Sequence, residues 1–83
     1  MYEYSILTSV GLVWGGYRKD PGRAKTEARR RSARVTSLIV VVTQYWNGEI
    51  IAAYERGEPT PLDKAQFVAD HGYRALADTG WVT

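Results

Sequence analysis

Leu38-Ile39-Val40-Val41-Val42-Thr43-Gln44-Tyr45-Trp46-Asn47-Gly48-Glu49-Ile50-Ile51-Ala52-Ala53-Tyr54-Glu55-Arg56 is the stretch whose reading decides the fold. Asn47-Gly48 separates two apolar runs, and Asn-Gly tolerates the positive φ that a type I′ hairpin turn demands at both central positions. A two-residue loop there sets Tyr45 opposite Ile50, Thr43 opposite Ala52 and Val41 opposite Tyr54 on one side. On the other side Val42 meets Ala53 and Gln44 meets Ile51. Both sides are largely apolar, so a sheet built on this hairpin must be covered on both faces.

Upstream, Tyr2, Tyr4, Ile6, Thr8 and Val10 alternate with Glu3, Ser5, Leu7 and Ser9, and the run resumes after Gly11 as Leu12-Val13-Trp14. That pattern predicts a first hairpin over 2–18 with its turn near Ser9 to Gly11. Gly15-Gly16 predicts a bulge or a close backbone approach in the second strand. Asp20 followed by Pro21 then marks a helix start, an acceptor side chain for the free N–H groups and a proline that has none to lose. On a helical wheel Ala24, Ala28, Arg31, Ser32 and Val35 form a narrow stripe that can lie close on a sheet, and Arg23, Arg30 and Arg34 share one flank.

Downstream, Thr60-Pro61-Leu62-Asp63 predicts a second N-cap and proline start, with a helix to about His71 that Gly72 stops. One further turn over Tyr73 to Ala77 ends at Thr79-Gly80, and Trp81 packs back. The expected architecture is a single α+β domain over 1–83 of order β-β-α-β-β-α. It has a four-stranded antiparallel sheet, the basic helix on one face, and the C-terminal helix on the other face or at an edge.

The 83 residues carry a net charge of only +2, which conceals a strong asymmetry. Between Arg18 and Arg34, eight basic residues stand against Asp20 and Glu27, a net +6, while residues 35–83 are net −3 and residues 1–17 contain only Glu3. Such a dipole suits an anionic partner for the basic segment and equally suits pairing of the chain with itself.

With no cysteine there is no disulfide and no thiolate metal site, and a lone histidine, His71, does not make a zinc site. His71 beside Asp70 has no nucleophile motif around it, and Gly11, Gly15 and Gly16 do not form a phosphate-binding loop. The expectation is therefore a non-enzymatic protein without metal or cofactor. Its longest apolar run, Leu38 to Val42, is far shorter than a membrane span, and its first residues lack the basic start of a signal peptide, so a cytoplasmic location is expected.

A chain of this size buries roughly 60–65% of its unfolded surface, a marginal core that a partner would help. Ten aromatic residues in 83, rich in Tyr and Trp, fit a protein-binding surface. The residues expected to dock a protein partner or a second copy are Trp14, Tyr45, Trp46, Ile50 and Tyr54. The alternative is nucleic-acid binding, with Arg18, Lys19, Arg23, Arg30 and Arg34 engaging phosphates.

A short Tyr-rich hairpin, an Arg/Ala helix and a second hairpin with an Asn-Gly-Glu turn resemble, taken together, the small accessory proteins of phages that infect GC-rich bacteria. The eight Arg against three Lys are in keeping with a GC-rich genome. The resemblance implies a host protein or a nucleic acid as target and transfers no site residues.

Overall fold

The computed structural model describes residues 1–35 and 37–79, and the expected packing of Trp81 lies outside them. β1 (Tyr2–Thr8) and β2 (Gly11–Arg18) form the first hairpin, closed by Ser9 and Val10. The Thr8 hydroxyl donates to the Gly11 carbonyl at 2.7 Å across the turn. In β2 the register shifts opposite Tyr4 and Ser5, which pair with Gly16 and Trp14, so Gly15 is the extra residue of a bulge. The buried Tyr4 ring lies against this bulge. A Cβ on Gly15 would stand 2.6 Å from the Tyr4 carbonyl oxygen, and one on Gly16 2.7 Å from Tyr4 Cζ, so this double glycine is a packing requirement.

α1 (Pro21–Ser32) begins where the cap pattern places it, with the Asp20 carboxylate accepting from the Arg23 amide at 3.1 Å and Pro21 at the first helical position. Its small-residue stripe is buried: Ala24, Ala28 and Ser32 have almost no exposure. Ala24 and Ala28 pack on Tyr4, Val40 and Val42, with Tyr2, Ile6, Val35, Ile51, Ala52 and Tyr54 around them.

β3 (Ile39–Gln44) and β4 (Ile50–Glu55) form the second hairpin, but its turn is not the expected one. Gln44 N bonds to Glu49 O at 2.9 Å and Gly48 N to Gln44 O at 2.7 Å, so Tyr45 to Gly48 make a four-residue loop. Only Gly48 has positive φ, at 71°, whereas a type I′ turn would require it of Asn47 too. Asn47 instead uses its side chain, whose oxygen accepts from Glu49 N at 2.9 Å. A register shift between Val42 and Thr43 leaves Ile51 as an extra residue. The outcome corrects the expected pairing: Val41 meets Ala53, Val40 meets Tyr54 and Thr43 meets Ile50. Because side chains alternate, a one-residue change moves Tyr54 to the α1 side of the sheet.

Among the described residues the sheet has five strands rather than four, in the order β2-β1-β3-β4-β5. The additional β5 (Glu58–Pro59) pairs with Tyr54 and Glu55 after a tight turn in which Arg56 (φ 55°) and Gly57 (φ 80°) are both left-handed. Arg-Gly thus supplies the two-residue turn expected of Asn-Gly. This turn is tied to α1 from both sides: Gly57 N donates to the Ser32 hydroxyl at 3.0 Å, and Arg29 Nε donates to the Gly57 carbonyl at 2.7 Å.

α2 (Leu62–Asp78) covers the opposite face, where Ala65 and Val68 pack on Leu7, Ile39, Val41 and Ala53. Pro61 is its N-cap and no side chain caps it, which corrects the expected Thr60 cap. The Thr60 amide is spent on Ala53 O at 2.8 Å, so the chain is still strand-like there. Gly72 (φ 88°, ψ 167°) breaks the helix and re-aims Tyr73 and Leu76 onto the same core. A helix therefore lies on each face of one antiparallel sheet.

Candidate interaction surface

The two sheet edges differ. β5 is two residues long and ends in proline, a blunt edge that cannot donate a ladder hydrogen bond at Pro59. β2 is eight residues long, is paired on one side only among the described residues, and carries no charged residue from Gly11 to Tyr17. Leu12 and Val13, neighbours that point to opposite faces, are 51% and 48% exposed. A long, uncharged edge with apolar side chains on both faces is a template for a further strand.

At the far end of β2, the start of β1 and the β3–β4 loop bring four aromatic rings together in two pairs. Tyr17 meets Tyr45 edge to face with ring centroids 5.5 Å apart, and Tyr2 meets Trp46 in the same way at 5.5 Å. Tyr45 and Trp46 are 62% and 60% exposed, so each ring is held by one neighbour and presents most of its surface to solvent. Of the other residues expected to dock a partner, Ile50 packs on the α2 side and Tyr54 on the α1 side. Neither shares a face with the other, and neither joins the exposed Tyr45–Trp46 end. Trp14 has its backbone in β2, and its side chain lies outside the described residues.

The arginines divide by flank. Arg29, facing β5, is consumed by Gly57 O and by Glu58 at 3.5 Å. On the flank facing β2, Glu27 gathers Arg18 at 4.0 Å and Arg30 at 3.5 Å. The guanidinium groups of Arg18 and Arg31 stand over the Tyr4 ring, 5.3 and 5.6 Å from its centroid. Sequence periodicity put Arg31 in the buried stripe. In the fold Arg31 is exposed, and its guanidinium reaches the face of the Tyr4 ring. Glu27, Arg30, Arg31, Arg34 and Val35 line a shallow cleft of about 160 Å³. Among the described residues Arg23 and Arg34 have no ion pair, and Lys19 and Arg23 are exposed beside the first turn of α1.

His71 rests against the Phe67 ring with centroids 4.7 Å apart, and its neighbour Asp70 accepts from Gln66 at 3.0 Å. Among the described residues no three His, Asp or Glu side chains are grouped to hold a metal ion, and no helix is long and apolar enough to cross a membrane. The unpaired β2 edge was the part of this surface that residue types alone did not single out. Its signal was present in the absence of Lys, Glu or Pro from Gly11 to Tyr17. No protein-family model, curated protein sequence or solved structure matches the chain.

Proposed function

We propose that the protein is a non-enzymatic interaction module that binds a protein partner through the β2 edge, with the Tyr45–Trp46 end as a flanking anchor. The observation that carries this reading is the contrast between the two edges: an eight-residue β2 that is uncharged from Gly11 to Tyr17 and exposes Leu12 and Val13, against a β5 of two residues, one of them a proline. Strand addition draws affinity from main-chain hydrogen bonds and specificity from alternate side chains, and it needs no pocket. Amide hydrogen exchange tests it. Adding an eight-residue strand-forming peptide is expected to slow exchange between Leu12 and Tyr17, and Val13→Lys is expected to cancel that protection. Unchanged exchange in β2 at saturating peptide overturns the reading.

A second reading, nucleic-acid binding, has one specific observation in its favour. The exposed Tyr45 and Trp46 rings stand at the same end of the sheet as Arg18 and Lys19, which follow Tyr17 directly, a combination that stacks bases beside phosphates. Fluorescence anisotropy of a labelled oligothymidylate, with and without Lys19→Ala and Arg23→Ala, tests it. Binding that steepens as salt falls and weakens in the variants supports it, and no binding at low salt removes it.

A further inference from the structure

We infer that the segment received at the β2 edge is an extended stretch of another protein with acidic side chains at alternate positions, held between β2 and the arginine flank of α1. This rests on the strand-addition reading and names its partner. α1 packs over β1, β3 and β4, so its flank stands beside the outer strand and overlooks the edge. The anchors are explicit. Arg18 of β2 meets Glu27 of α1, and Arg31 reaches the Tyr4 ring that lies on Gly15 and Gly16 of β2. A strand added about 4.8 Å beyond β2 places every second side chain on that side of the sheet, beneath the wall.

Charge decides the class of those side chains. The wall comprises Arg18, Arg23, Arg30, Arg31 and Arg34 against Glu27 alone, a net +4. Arg30, Arg31 and Arg34 line one cleft, Arg34 from the turn that follows α1. Alternate residues of a strand recur every ~6.6 Å, a spacing that these long guanidinium side chains can follow. On the opposite face the added strand meets Leu12, which favours apolar residues at the intervening positions.

A second copy fits this site poorly, since residues 11–18 hold no acidic residue to offer and would add a second cationic wall. A nucleic acid does not extend the β2 ladder and brings phosphates toward the Glu27 carboxylate, which already engages Arg18 and Arg30. The acidic strand uses both halves of the site.

Four probes test the proposal on the intact chain at low and moderate salt. They are an eight-residue peptide alternating threonine and glutamate, its threonine–glutamine analogue, the glutamate peptide N-methylated at two consecutive central residues, and an oligothymidylate. The expected result is saturable binding of the glutamate peptide that weakens with salt. It is expected to be about tenfold weaker or more for the glutamine analogue and for the surface variant Arg30→Ala/Arg34→Ala, and to be lost on N-methylation. Equal binding of the glutamine analogue overturns the acidic specificity and leaves strand addition standing. Undiminished binding of the N-methylated peptide overturns strand addition itself. An oligothymidylate that displaces the peptide, or a dimer that excludes it, overturns the assignment in favour of a nucleic acid or a second copy. Circular dichroism of the double variant verifies that its fold is retained.

Discussion

The Tyr73 hydroxyl stands 2.8 Å from the Ile39 amide, accepting its proton, and donates its own to the Leu7 carbonyl at 2.8 Å. Leu7 and Ile39 would be the next pair after Ile6 and Val40 in the β1–β3 ladder, so the phenol occupies the gap where the two strands separate. One side chain from beyond the Gly72 break thereby satisfies a buried donor and a buried acceptor on two strands. Tyr73→Phe keeps the ring and orphans both groups, so it is expected to cost about 1–3 kcal/mol. Urea denaturation with an unchanged slope is the check.

The same phenol makes stability depend on alkaline pH. Burial pushes the Tyr73 hydroxyl above the usual tyrosine range, the Ile39 N–H that favours the phenolate works against this, and the Glu55 carboxylate adds to the rise. A folded-state pKa above the unfolded value of about 10 means that the unfolded chain loses this proton first. The contribution is complete below about pH 10 and is lost as pH rises toward the folded pKa. Stability measured from pH 9 upward should decline less steeply in Tyr73→Phe than in the wild type.

Gly15 and Gly16 are occupied by the Tyr4 ring rather than by a turn. Gly16→Ala drives a methyl group into that ring and is expected to destabilise by about 1–3 kcal/mol. Combining it with Tyr4→Ala should recover part of the loss, giving a sub-additive double-mutant cycle because the two sites share one contact. Strict additivity in thermal or denaturant unfolding would contradict the packing described.

Lys64 is nearly buried on α2, with its ammonium 2.9 Å from Glu55 Oε1 of β4. Lys64→Met removes the charge yet keeps the stem, leaving Glu55 without its cation. It is expected to destabilise by about 1–3 kcal/mol, less than a fully enclosed pair because Glu55 keeps some solvent access. In the double variant with Glu55→Gln much of that loss should return.

Asp20→Ala removes the carboxylate that receives the Arg23 amide at the start of α1. A loss of about 1 kcal/mol is expected, with Asp20→Asn close to wild type. Equal loss in both variants would mean that the charge at the helix N-terminus, rather than the cap hydrogen bond, is what matters.

The elements were legible wherever a local rule decides. Asp20-Pro21 marks the start of α1, and the Ala24–Ala28 stripe identifies its buried face. Gly15-Gly16 marks the bulge, and Gly72 breaks the second helix where it was expected to stop. The sheet register was not legible. Asn47-Gly48 is compatible with two loop lengths, and choosing between them depends on Tyr45 and Trp46 packing against Tyr17 and Tyr2, which lie 28 and 44 residues away in the chain. The short β5 escaped notice because Arg56 adopts positive φ without being glycine, held by the bonds of Gly57 to α1.

For the candidate surface the same division holds. Residue types and spacing alone determined that the first hairpin has an uncharged second strand, that one helix carries the arginines, and that both sheet faces need cover. Only the tertiary structure decided that Ile50 and Tyr54 are part of opposite cores, that Tyr45 and Trp46 stay in solvent, and that the arginine flank overlooks an unpaired edge. Helix caps and small-residue stripes depend on interactions within a few residues. Strand order, register and the pairing of edges depend on contacts between distant segments, where one residue of slip reverses every side chain.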